Sequence, residues 1–110
     1  MRHLCLMIHS LKQCQKEIAE FPEEVRGDLA DALARLNEGH KLSMPLSRPM
    51  PSIGKGVHEL RFRDRSGIYR VIYVLIGAGN TWLIHAFMKK TSSTPKQNID
   101  LAKQRLREIL

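Results

Sequence analysis

Residues 57–89 read as three consecutive strands, 57–63, 68–75 and 81–89, separated only by the short turns DRSG and IGAGN. Connections that short, rich in Gly, Asn, Asp and Ser, join antiparallel neighbours. The chain must therefore contain an antiparallel β-meander, and its remaining elements have to cover that sheet. The middle strand carries an irregularity. Ile68, Arg70, Ile72 and Val74 lie two apart and share one face, which places a guanidinium midway along an apolar row. Such a charge is costly unless it is paired or serves a ligand. If the DRSG turn sets Arg63 opposite Ile68, then Arg61 opposes Arg70. Like charges directly across an antiparallel pair destabilise it. Glu59, on the same face, can neutralise one guanidinium, so a solvated Glu/Arg ladder is the plainer reading. The central place of Arg70 argues instead for a ligand. A slip of one residue in the turn would break the pairing.

The flanking sequence supplies the cover. Residues 3–8 (HLCLMI) form an apolar run of strand length, and Ser10 with Gln13 has the form of a capping box opening a helix over 10–20, with Leu11, Cys14 and Ile18 on one face. Pro22, Glu23 and Glu24 suit the first turn of a second helix, whose stripe Val25, Leu29, Leu33, Leu36 runs to Gly39, a C-terminal stop. Residues 40–56 hold three of the five prolines and two glycines and read as an ordered loop. Thr94, Pro95 and Gln97 open a last helix over 95–110, with Ile99, Ala102, Leu106 and Ile109 aligned. The order βααβββα within one domain, 1–110, specifies an α+β fold. It consists of an antiparallel sheet (the meander plus an N-terminal strand), an N-terminal helical hairpin on one face and a C-terminal helix, with the other face partly open.

Charge is unevenly distributed. Residues 1–56 hold eight Lys/Arg against seven Asp/Glu, a balance of +1, whereas residues 57–110 hold ten against four, a balance of +6. A basic second half of a chain with net charge +7 favours an anionic partner such as nucleic acid. Cys5 and Cys14 suit small buried hydrophobes in a reducing cytoplasm. With His3 and His9 they lack the paired Cys-x-x-Cys spacing of a structural zinc site, so no metal is expected. No run approaches a membrane span. There is no phosphate loop, no nucleophile elbow and no carboxylate pair of a glycosidase. Lys89 and Lys90 end the third strand and would point to opposite faces, so one joins the arginine face. His85 could serve as acid or base, although a strand histidine among apolar neighbours is more often a hydrogen-bonded core residue. Trp82, Tyr69, Tyr73 and Phe87 suit a core first.

Taken in order, Glu59 to Arg61, Tyr69 to Tyr73, His85 to Thr91 and Thr94 to Arg105, with FPEEVR at Phe21 to Arg26, the chain resembles the phage-derived Gp49-like branch of the RelE/HigB toxin superfamily over about residues 21 to 107. The resemblance implies a RelE-like fold and the toxin of a type II toxin–antitoxin module. Its partners would be mRNA, the ribosome and a cognate helix-turn-helix antitoxin, with no cofactor, no membrane and a cytoplasmic location. It implies metal-free cleavage in which the RNA 2′-OH attacks its adjacent phosphate while basic side chains stabilise the charge. Carried over by position, the catalytic candidates are Arg61, Arg70, Lys89, Lys90 and His85, and the RNA-binding candidates are Arg63, Arg65, Lys55 and Arg48. The tyrosine that some relatives carry after the last strand has no counterpart among Thr91, Ser92 and Ser93, leaving the general base unassigned. ParE-like gyrase inhibitors share the fold, so a non-nuclease inhibitor and a plain nucleic-acid-binding module are the alternatives. On the nuclease reading Arg70→Ala should remove cleavage with little loss of fold.

Overall fold

A computed structural model describes residues 7–77, 79–89 and 94–110. The strands β1 (Met7–Ser10), β2 (Ser47–Pro49), β3 (Val57–Asp64), β4 (Gly67–Ile76) and β5 (Asn80–Lys89) form one sheet ordered β1-β5-β4-β3-β2, accompanied by helices α1 (Lys12–Ala19), α2 (Glu23–Asn37) and α3 (Lys96–Ile109). The meander β3–β4–β5 is antiparallel, as its turns require. The N-terminal strand pairs parallel to β5, Met7 to Asn80 through Ser10 to Leu83, so the sheet is mixed rather than antiparallel throughout. Parallel neighbours need a long connection, and everything between β1 and β5 supplies it. Of the run 3–8, residues 3–6 lie outside the described residues.

The proline-rich segment is not wholly irregular. Ser47, Arg48 and Pro49 pair with Leu60, Glu59 and His58, and proline is tolerated there because β2 is an edge strand. Neither expected side-chain cap forms. Ser10 ends β1, and Gln15 Nε2 donates to its hydroxyl at 2.9 Å. Helix α3 begins after Pro95 with no side-chain cap. Gly39 does end α2: at φ +90°, a conformation glycine adopts without strain, it lets the amides of Gly39 and His40 reach the carbonyls of Leu36 and Arg35 at 3.0 Å each.

The two sheet faces carry separate cores. On one, α1 and α2 bring Cys14, Phe21, Val25, Leu29 and Leu36 against Leu60, Phe62, Tyr69, Val71, Tyr73 and Leu83. Burial pushes the Cys14 thiol up to about 12, which suits a core residue. On the other face, Ala102 and Leu106 of α3 pack with Val57, Ile72, Val74 and Ile84. Towards the β3–β4 turn this face becomes charged, Arg61, Arg70 and Lys89 lying beyond the apolar cluster. That turn fixes the register. Asp64 Oδ1 accepts from the Ser66 amide at 2.8 Å, the Ser66 hydroxyl at 2.6 Å and the Gly67 amide at 3.2 Å, so Arg63 opposes Ile68 and Arg61 opposes Arg70. No helix among the described residues is long and apolar enough to cross a membrane.

Candidate functional site

The register assembles a charged cluster on the second face from four adjacent strands. Arg48 of β2 opposes Glu59 of β3, Arg61 opposes Arg70 of β4, and Lys89 of β5 opposes Ile68. Glu59 is the hub. Its Oε1 accepts from Arg70 Nη1 at 2.6 Å and Arg48 Nη2 at 3.1 Å, and its Oε2 accepts from the Thr94 hydroxyl at 2.8 Å. Thr94, expected to cap α3, spends its hydroxyl here instead. Glu59 is 0% exposed, Arg70 1% and Lys89 2%, so these are charges held inside the protein. Arg70→Ala would strand a buried carboxylate, and the expectation that this substitution spares the fold gives way.

The cations outnumber the anion. Arg48, Arg61, Arg70 and Lys89 gather around Glu59, four against one, with Arg61 half-buried and Arg63 exposed further along β3. The electrostatic consequences follow. Burial, then the charge of Arg70, pulls Lys89 down to about 8 against the opposing pull of Glu59. Burial likewise lowers Arg70, with Glu59 opposing, and a guanidinium remains charged throughout. The Nε atoms of Arg70 and Arg48 are buried with no acceptor among the described residues. Arg61, Arg63 and Arg70 line a depression of about 410 Å³ whose other walls are Pro45, Leu46, Phe62 and Ile68. A concavity with a cationic lining, spare donors and an apolar wall suits a phosphate joined to an organic group.

His85 lies elsewhere. It is buried, and its Nε2 is 2.7 Å from Asn98 Oδ1 while its Nδ1 lies 3.2 Å from both Glu17 Oε1 and Arg105 Nη1. Both ring nitrogens are engaged and Phe87 stacks on the ring. This cluster at the sheet edge has a structural origin. β1 stops pairing at Ser10, leaving the edge of β5 without a strand beyond Leu83. Side chains take over: Glu17 Oε1 accepts from the Ala86 amide at 3.0 Å, and Arg105 Nη1 donates to the Ile84 carbonyl at 3.0 Å. Arg105 also grips both oxygens of Glu17, at 2.8 and 3.0 Å, tying α1 to α3 around the sheet edge. Burial would raise the Glu17 carboxyl, but hydrogen bonds from His85, Arg105 and Ala86 hold it at about 2.

Of the other candidates, Arg65 occupies the tip of the β3–β4 turn, exposed, and Lys55 the turn before β3 at the opposite end of that strand. Neither joins the cluster. Lys90 lies outside the described residues. Sequence reasoning missed Thr94 as a ligand of Glu59, and missed Glu17, Asn98 and Arg105 altogether. Arg105 had a usable signal, since it follows Ala102 by three and so falls on the apolar stripe of α3, the same kind of interruption that drew attention to Arg70.

Comparison with known proteins agrees with this architecture. The family model described as "Phage derived protein Gp49-like (DUF891)" matches residues 16–107. The structure of E. coli toxin RelE in the free state, with two arginines replaced by alanine, superposes with a TM-score of 0.65 at 16% identity, covering 97% of this chain and 100% of that one. A crystal structure of the isolated E. coli RelE toxin gives 0.57 at 19% identity, with 96% and 100% covered. At these identities the likeness is one of fold. No curated protein sequence matches.

Proposed function

Because the chain belongs to the Gp49-like family of phage-derived proteins, we propose that it is the toxin of a type II toxin–antitoxin module, an endoribonuclease that cuts mRNA on the ribosome and is held inactive by a cognate helix-turn-helix antitoxin. The RelE-type fold supports that reading. The observation that carries it is the cluster of four cations around one buried carboxylate, beside a depression lined by Arg61, Arg63 and Arg70.

The chemistry follows from the charges. The RNA 2′-oxygen attacks the adjacent phosphorus, the bond to the 5′-oxygen breaks, and a 2′,3′-cyclic phosphate remains. Negative charge grows on the phosphoryl oxygens at the midpoint, where fixed guanidinium groups stabilise it at little reorganisation cost. Arg70 and Arg61 are placed for that task, and Arg63 at the rim for a neighbouring phosphate. Lys89, with a pKa of about 8, lies in the range where proton transfer to a leaving 5′-oxygen is effective near neutral pH. The need for a neighbouring 2′-OH restricts the reaction to RNA. His85 orders the Glu17–Arg105 cluster at the sheet edge, away from the phosphate.

Primer extension on mRNA after induction tests the proposal. Discrete cuts within codons, lost in Arg61→Ala, support it. Intact mRNA accompanied by double-strand DNA breaks would overturn it in favour of gyrase inhibition, and both nucleic acids intact in viable cells would leave a binding module.

A further inference from the structure

Glu59 is hard to explain as packing. A carboxylate at the centre of a sheet costs more to bury than an apolar residue of similar size, and of its neighbours on this face Val57, Ile72 and Val74 are apolar while Arg61 and Arg70 are charged. It is also harder to explain as a simple neutraliser, since one carboxylate cannot balance the four cations around it. Its geometry is informative. Three donors from three different segments converge on it: Arg70 of β4, Arg48 of β2 and Thr94 at the entry to α3. Arg70 gives it only Nη1, and the buried Nε of the same guanidinium has no acceptor among the described residues.

We propose that Glu59 is the positioning residue of the arginine site, holding one end of the Arg70 guanidinium, together with Arg48 and the start of α3, so that the other edge of Arg70 is fixed for an incoming phosphate oxygen. The proposal rests on the reading of the site as one for RNA phosphate. It makes a prediction opposite to charge counting. Replacing Glu59 by a neutral residue raises the positive charge of the site, and a solvated ladder would then bind RNA more tightly. A positioning residue gives the reverse, because Arg70 loses its fixed orientation.

The test uses the full chain and a 2′-O-methyl RNA oligonucleotide, which cannot be cut. Glu59→Gln should bind it about tenfold more weakly than the unsubstituted protein, the scale of one lost charge-assisted hydrogen bond. Thr94→Val, which keeps the carboxylate but removes one anchor, should weaken binding about threefold. In the free protein the Arg70 Nε–H resonance should be a single sharp line that broadens in both variants. Equal or tighter binding by Glu59→Gln, or an unchanged Arg70 line, overturns the proposal. Should Glu59→Gln fail to fold, Thr94→Val decides by the same two measurements, and unchanged affinity with an unchanged line again overturns it. If the unsubstituted protein neither binds nor cuts RNA, the nuclease reading falls, while the Arg70 line in the free protein still decides the role of Glu59.

Discussion

The protein buries two ionic clusters built from similar parts, and they differ in how completely the parts match. In the first, Glu17 takes both terminal nitrogens of Arg105, an amide from β5 and a contact from His85, whose other nitrogen faces Asn98. One carboxylate meets one arginine, and the group replaces a missing strand at the sheet edge. In the second, Glu59 takes one nitrogen each from Arg70 and Arg48 and a hydroxyl from Thr94, with Arg61, Arg63 and Lys89 in addition. Two guanidinium Nε atoms there have no acceptor among the described residues, and a depression adjoins the cluster. Burial of ionisable groups is common to both, so burial alone does not mark a functional site. Charge imbalance with spare donors is what makes the second the candidate.

The widest separation between the clusters should come from removing the central arginine of each. Arg70→Ala leaves a fully buried carboxylate without its shortest partner and should cost about 3 kcal/mol of stability, and Arg105→Ala, whose Glu17 partner is partly exposed, about half that, read by urea unfolding. In their folded fractions they should part company. Arg70→Ala should cut RNA about 10²- to 10³-fold more slowly, the scale of one lost transition-state donor, while Arg105→Ala retains the unsubstituted rate. Equal losses of cleavage would erase the distinction between a matched tie and an unmatched site.

How much of this was legible in sequence differs between the two clusters for a physical reason. The second depends on strand alternation and one short turn, both local, so Arg61, Arg70 and their pairing could be read from residues 58–75, and Asp64 in DRSG holds the register that pairing needs. The first joins Glu17 to Arg105 across 88 positions, and no local pattern states which residues meet at that range. The parallel partner of β1 was hidden for the same reason. Thr94 was read as a cap because Thr-Pro before a helix ordinarily is one, yet a buried carboxylate outbid the helix amides for its hydroxyl. His85 shows the opposite bias: a residue type suited to catalysis, in a conspicuous strand, turns out to be enclosed among Glu17, Asn98 and Arg105.

Titration should separate the clusters by sign. The folded pKa of Glu17 is about 2 against an ordinary value of 4.5, so its contribution is fully present above pH 4.5 and lost as pH falls towards 2, an effect on the order of 3 kcal/mol. Glu17→Gln should remove that part of the acid limb in unfolding measured against pH. Lys89 behaves inversely. With a folded value of about 8 against 10.5, the unfolded chain binds the extra proton between those limits, so the contribution of Lys89 should rise across pH 8 to 10.5, on the order of 3 kcal/mol. Lys89→Met should flatten the rise. A matched second cluster would show no such alkaline gain.

The smallest effect sharpens the comparison most cheaply. Arg63 is exposed at the rim of the depression and, on the proposed reading, meets a phosphate in a well-solvated setting. Removing it should weaken binding of a single-stranded RNA about threefold at low salt, uniformly across sequences, and reduce the slope of log affinity against log salt by about 0.7, the share of one phosphate contact on a single strand. Arg107, exposed near the end of α3, carries the same charge outside the cluster. Arg107→Ala lowers the net charge by the same unit, so if affinity followed net charge alone the two variants would match. A salt slope that falls for Arg63→Ala and not for Arg107→Ala assigns the contact to the rim of the depression beside the unmatched cluster.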